Sequence, residues 1–305
     1  MPIDSTTTLS PPIRLSLRMT LSWALIDEVR HFVGAFCAWA CPSLDRGEHL
    51  SLAVHELLQN AVVCTGEEAV ELSLEIDPTV NHVSIRVTNT CTAPQAVALR
   101  ERLEEMRREP DALRHYLATM AQTSAAERGG LGLARIRFEA QLGLEALFEL
   151  GRVTVTASGT LVPLSPVNRG SAMAEAKGPS VGVAGVRAGD TKYSVQLVSG
   201  PEGPVVCFRG TISTPNPSAL LTPFVDAVHE ALVKGGHASV VVDFRELEFC
   251  NSAGFKAFLY WIERIAGAEA GARYRLRFRS SPDRRWQRTS LLALSCFAPE
   301  RIELL

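Results

Sequence analysis

Long apolar runs are missing from this chain, and so is any C-x-x-C pair. Without an apolar run long enough to cross a bilayer, a membrane-spanning helix is not expected. Seven cysteines, an odd count with no C-x-x-C, argue against a zinc ribbon and against a secreted disulfide framework. Charge of one sign is lacking too. The net charge is -2 over 305 residues and the sequence pI about 6.4. No basic field exists to hold a polyanion, so nucleic acid is not expected as a partner. The opening stretch Met1–Pro12 is polar and rich in Ser, Thr and Pro. It lacks the charged start and apolar centre of a signal peptide. It reads as a disordered N-terminus, and the protein as cytoplasmic.

Apolar residues at 46% and charged residues at 21% are ordinary for a globular protein, and the length suits two domains. One compositional break divides them. From Ser158 to Asp190, Gly, Pro, Ser and Ala dominate, aromatics are absent and no period persists. That stretch reads as a flexible linker. Before it, Ile13, Leu15, Leu17 and Met19 alternate as in a half-buried strand. A helix comes next, with Val29 and Phe36 among its periodic apolar residues, and Pro42 ends it. Cys37 and Cys41 lie near its end, where small buried residues are expected.

A second helix runs from Gly47 to Cys64, with Leu50, Val54, Leu57 and Ala61 as its stripe. Strands are expected at Val70–Ile76 and His82–Thr88, then a charged helical stretch, Gln95–Gln122, broken near Pro110. A glycine cluster leads into a helix from Leu133 to Leu142, and Val153 and Val155 carry a last strand. Beyond the linker, strands are expected at Tyr193–Val198, Val205–Arg209, Ser239–Phe244 and Arg273–Arg279, with helices at Ser218–Lys234 and Ser252–Ala266. Arg273, Arg275, Arg277 and Arg279 alternate as the exposed face of a strand. Strands and helices do not alternate strictly, so the fold class is read as α+β.

Three motifs could carry chemistry. In His55-Glu56-Leu57-Leu58-Gln59-Asn60-Ala61, Glu56 and Asn60 are four apart and share a helix face. A carboxylate and a carboxamide there suit a general base and a ligand for Mg²⁺ carrying a triphosphate; the bland alternative is a solvated helix edge. His55 reads as an ordinary helix residue, since the phosphorylated His box of a sensor kinase continues with Arg and Pro. The second motif, Gly129-Gly130-Leu131-Gly132-Leu133-Ala134, would let a phosphate approach the backbone at a helix start; a plain turn is the alternative. In the third, a buried strand runs out at Asp243, a short loop intervenes, and a helix starts near Ser252 with Asn251 as its N-cap. A phosphate on Ser252 would be favoured by the helix dipole. The alternative makes Ser252 a plain helix N-terminal residue.

Taken together, these motifs resemble a known family arrangement. Ile13–Ala157 resembles a GHKL ATPase domain of the anti-sigma-factor serine kinase type, an α/β sandwich. HELLQNA is similar to its N box and GGLGLARI to its second glycine box. By that resemblance Glu56 would activate the substrate hydroxyl and Asn60 would help hold Mg²⁺. Gly129, Gly130, Leu131 and Gly132 would lie against the phosphates of ATP. The family's Asp-x-Gly-x-Gly box, whose Asp takes the adenine amino group, is replaced by Val87-Thr88-Asn89-Thr90-Cys91-Thr92. Asn89 stands at the Asp position, where a carboxamide can still accept from an amino group. A subgroup resembling the SiaB kinases is similar in carrying V-x-N here.

The C-terminal stretch, 191–305, resembles the STAS domain of anti-sigma-factor antagonists. The family pattern F-x-D-S-S/T-G matches at Phe249, Ser252 and Gly254, with Asn251 for the Asp and Ala253 for the following Ser or Thr. The resemblance makes Ser252 the phosphoacceptor. The whole reads as a bacterial partner-switching protein, either an ATP- and Mg²⁺-dependent serine/threonine kinase or a non-catalytic scaffold. Its implied partners are a STAS protein, a sigma factor or a phosphatase. Kinases of this type often form homodimers; no feature of this sequence decides the oligomeric state.

Overall fold

The computed structural model describes residues 11–41, 43–65, 68–126, 129–162 and 186–305. The expected helix stop at Pro42, most of the N-terminal segment and most of the expected linker lie outside them. The chain mixes helices and sheets as an α+β fold does. It divides into two compact units, one drawn from Met1–Arg108 and Ile136–Ser165, the other from Glu109–Arg135 and Pro166–Leu305.

The first unit is built on an antiparallel sheet. Its strands are β1 (Ile13–Thr20), β2 (Ala69–Asp77), β3 (His82–Thr90), β4 (Gly143–Glu149) and β5 (Arg152–Thr160), in the order β1-β2-β3-β5-β4. Apolar alternation sets the register. Leu72, Leu74 and Ile76 of β2 sit opposite Val87, Ile85 and Val83 of β3, and all six are buried. The β2–β3 turn is fixed by the Asp77 carboxylate, which accepts from the Thr79 N–H at 2.9 Å. Helix α1 (Trp23–Ala40) starts at Ser22, whose hydroxyl accepts from the Leu25 N–H at 3.3 Å. Helix α2 (Leu44–Thr65) packs on α1 and on β3. It is covered almost all round: every residue from Leu50 to Gln59 is buried. Helix α3 (Ala93–Arg108) exposes most of its charge and buries Leu103 and Met106.

The second unit holds α4 (Ala112–Ala126) and the start of α5 (Leu131–Phe138), together with the C-terminal part of the chain. Its sheet comprises β6 (Arg187–Gly189), β7 (Tyr193–Gly200), β8 (Gly203–Ile212), β9 (Ser239–Cys250), β10 (Arg275–Arg279) and β11 (Ile302–Leu304), ordered β11-β10-β9-β8-β7-β6. From β8 to β11 the neighbours are parallel; β6, β7 and β8 are antiparallel. Helices α6 (Ser218–Lys234), α7 (Ser252–Ala266) and α8 (Arg285–Phe297) complete it, with α6 on α7 and α4 on both α7 and α8. Phe208, Phe244, Phe255, Phe258 and Phe278 form the core, their rings 5.0 to 5.9 Å apart, mostly edge to face.

The structure differs from the sequence-based expectation at several elements. β4, β6, α8 and β11 were not expected, and β5 runs three residues past Ala157. The longest difference is in β9, where Asp243 does not end the strand. It continues to Cys250, with register shifts against β8. Bulging leaves carbonyls without ladder partners, and α8 supplies donors. Gln287 Nε2 donates to the Phe244 and Leu247 carbonyls, both at 2.7 Å, and Trp286 Nε1 to that of Glu248 at 3.1 Å.

Candidate functional site

Helix α2 carries the first group of candidate residues. Glu56 is 1% exposed, whereas Asn60, one turn on, is exposed. The shared face therefore passes from interior to solvent within four residues. This excludes the solvated-edge reading for Glu56 and gives a carboxylate shielded from bulk water next to a carboxamide open to it. His55 is fully buried on the same helix.

Asn89 lies near the end of β3, opposite Val153 of β5, and is 4% exposed. Its Nδ2 donates to the Thr90 carbonyl at 2.7 Å. A helix start takes the place of a glycine-rich loop here. The strand ends at Thr90, the Cys91 N–H donates to the Gly151 carbonyl at 2.9 Å, and α3 begins at once. Thr92 and Gln95 cap it reciprocally. The Thr92 N–H donates to Gln95 Oε1 at 2.9 Å and the Gln95 N–H to the Thr92 hydroxyl at 3.5 Å. The sequence carries this signal as T-x-x-Q, at the very residues that start the helix.

The glycine cluster belongs to the second unit. Gly130 has φ 119°, a conformation that favours glycine, and its carbonyl accepts from the Ala134 N–H at 3.1 Å. Leu131 and Gly132 are buried in the first turn of α5, while Gly129 is exposed. The first N–H groups of a helix lack intrahelical acceptors and carry the positive end of its dipole, which suits an anion. The structure thus puts Glu56 and Asn60 on one face of α2 and Asn89 in the strand against which α2 packs, whereas Gly129–Gly132, at the head of α5, belong to the other unit.

Ser252 is the first residue of α7 and is partly exposed. Its neighbour Asn251 is fully buried and is held by hydrogen bonds from both its side chain and its backbone. Its Oδ1 accepts from the Gly254 N–H at 2.8 Å, its Nδ2 donates to the Thr214 carbonyl at 3.1 Å, and its backbone N–H donates to the Ile212 carbonyl at 2.9 Å. An ionised Asp could make the first of the side-chain bonds but not the second. Gly254 is required by space: a Cβ there would sit 2.5 Å from Ile212 Cγ2 and 2.9 Å from Cys250 Sγ.

Arg135, which nothing in the sequence marked out, is fully buried close to this junction. Its Nη1 donates to the Cys250 carbonyl at 2.9 Å, and its guanidinium lies 5.2 Å from the Phe255 ring centroid. Tyr116 of α4 stacks on the same ring at 6.5 Å. Near the middle of β9, burial alone would raise the Asp243 carboxyl, but the Arg245 side chain and N–H, with Arg279, hold it below the usual carboxylate range.

No family model matches the chain, and no curated protein does. Among solved structures, it is similar to a chain of the SiaB–SiaC complex from Pseudomonas aeruginosa. The identity is 16% and the TM-score 0.40, covering 47% of this chain and 88% of that one. Among the described residues, no helix is long and apolar enough to cross a membrane, and no cluster of His, Cys, Asp and Glu is arranged to hold a metal.

Proposed function

We propose that this protein is a bacterial partner-switching regulator whose N-terminal GHKL-like part, about residues 13–157, binds Mg-ATP and phosphorylates a serine or threonine of a STAS domain. Its C-terminal part, 191–305, is itself STAS-like, and Ser252 is its acceptor hydroxyl. The observation that carries the reading is the Glu56–Asn60 pair, with the carboxylate buried and the carboxamide in solvent one turn away.

The residues fit the group they would hold. Asn60 offers an exposed amide oxygen to Mg²⁺. By the resemblance Gly129–Gly132 would take the phosphate oxygens, and the left-handed backbone of Gly130 suits such an approach. Asn89 offers a carboxamide to adenine. Bound Mg-ATP supplies the γ-phosphoryl group and the metal's charge neutralisation. Glu56 orients the attacking hydroxyl and takes its proton.

A second reading, a non-catalytic scaffold that binds a sigma factor, a STAS protein or a phosphatase, is favoured by two observations. Asn89 already donates to Thr90, and α3 begins where a glycine loop would shape a nucleotide pocket.

Calorimetry of the full chain with Mg-ATP separates the two. The kinase reading expects saturable binding that Asn60→Ala loses. It also expects phosphate transfer to a STAS-domain substrate that Glu56→Gln slows by about 10²–10⁴-fold while leaving nucleotide binding intact. No binding at millimolar nucleotide, with the chain folded, would leave the scaffold as the function.

A further inference from the structure

Cys37 and Cys41 take no part in the proposed kinase chemistry, and their surroundings are unusual. Cys37 is fully buried on α1; Cys41 is the C-cap of that helix and partly exposed. The Cys41 N–H donates to the Cys37 carbonyl at 2.8 Å, so one helical turn separates them. Helix geometry sets their Cα atoms roughly 6 Å apart, within the span a disulfide bridges. Gly47 of α2 presses against this turn, leaving a built Cβ only 3.2 Å from Cys37 Cβ.

Beside them lies Arg46, 1% exposed. Its Nη1 donates to the Ala140 carbonyl and its Nη2 to that of Thr160 at 2.7 Å. Among the described residues its buried Nε has no hydrogen-bond partner and no carboxylate pairs with it. A buried guanidinium neutralised only by carbonyl dipoles favours a negative charge nearby. The neighbouring groups that can supply one are the two thiols. The Cys41 side chain, and then burial, push the Cys37 thiol above its ordinary range. The Cys37 side chain lowers that of Cys41; burial opposes the change and the Arg46 charge adds to it.

We propose that Cys37 and Cys41 are a peroxide-sensitive thiol pair, with Cys41 as the attacking sulfur beside the Arg46 guanidinium and Cys37 as the resolving thiol. The Cys41 sulfur attacks one oxygen of hydrogen peroxide and the O–O bond breaks. The departing hydroxide takes a proton and leaves as water, and Cys41 becomes a sulfenic acid. The Cys37 sulfur then attacks the Cys41 sulfur, forming the S–S bond and displacing hydroxide, which leaves as water with the Cys37 proton. Two thiols are oxidised by two electrons in all, and one peroxide is reduced to two waters.

The test treats the full chain with stoichiometric hydrogen peroxide, blocks remaining thiols with iodoacetamide, and maps tryptic peptides by mass. One peptide, His31–Arg46, contains both cysteines. It is expected to lose two hydrogens and take no label before the exposed Cys296 is oxidised. In Cys37→Ala, dimedone is expected to tag Cys41. Arg46→Gln is expected to slow alkylation of Cys41 about tenfold, with Arg46→Lys restoring it. A His31–Arg46 peptide that carries two labels while Cys296 is oxidised would overturn the proposal. So would a Cys37→Ala protein that dimedone does not tag at Cys41, a result that stands even if Arg46→Gln fails to fold.

Discussion

Tyr193 shows how one polar atom can set a pH limit. It opens β7 at 3% exposure, and its hydroxyl is buried without a hydrogen-bond partner among the described residues. Burial, with a smaller push from Asp190, raises its ionisation to about 12. The unfolded chain ionises this phenol near 10. Its contribution is therefore fully present below pH 10 and is lost as pH rises from 10 through 12. Tyr193→Phe removes an unsatisfied group and is expected to raise the urea midpoint by an amount equivalent to about 1–3 kcal/mol. It should also flatten the alkaline decline, which unfolding curves at pH 8 and pH 11 will report. Legibility at this scale was uneven. Glu56 and Asn60 could be paired from their spacing, because a helix puts residues four apart on one face. That one of them is buried could not, because α2 is covered on more sides than its stripe implies. Arg135 was illegible for a related reason: an arginine inside a short helix reads as a surface residue, and what buries it comes from distant sequence.

The β9–α7 junction is the element whose chemistry can be tested most directly. Asn251 ties the helix start to the Thr214 carbonyl by a donor that Asp lacks. Asn251→Asp sets a carboxylate against that carbonyl. It is expected to cost about 1–3 kcal/mol in urea unfolding at neutral pH. An unchanged midpoint would mean that the Thr214 contact contributes nothing. The bounds of α6 and α7 were read from the sequence correctly because both have strong apolar periods. Helix α8 was missed because it begins in a run of arginines. The length of β9 was missed because its later half alternates around bulges, with carbonyls satisfied by Gln287 of α8. β4 was missed because Leu144 and its neighbours come after a helix without a breaker strong enough to separate them.

Across the whole molecule, the mixture of helices and strands came from periodicity. The path of the chain did not. It enters the second unit at Glu109, returns at Ile136, and enters again at Pro166. Tyr116 and Met120 of α4 are fully buried, yet the helix reads in sequence as part of the N-terminal half. A helix can be assigned from its own period, whereas its docking partner depends on contacts that no local pattern records.

That path makes the protein a ready-made complementation pair. Cut between residues 163 and 185, the chain yields an N-terminal fragment that still carries α4, a helix that belongs to the other fragment's core. The two pieces are expected to co-elute from a sizing column. The C-terminal piece alone, stripped of Tyr116 and Met120, is expected to bind hydrophobic dye and to unfold at lower urea than the reunited pair. The compositional break and the boundary between the folding units thus fall at different places in the chain. A partner protein that competes for the place of α4 would be displacing a piece of this chain's own interior.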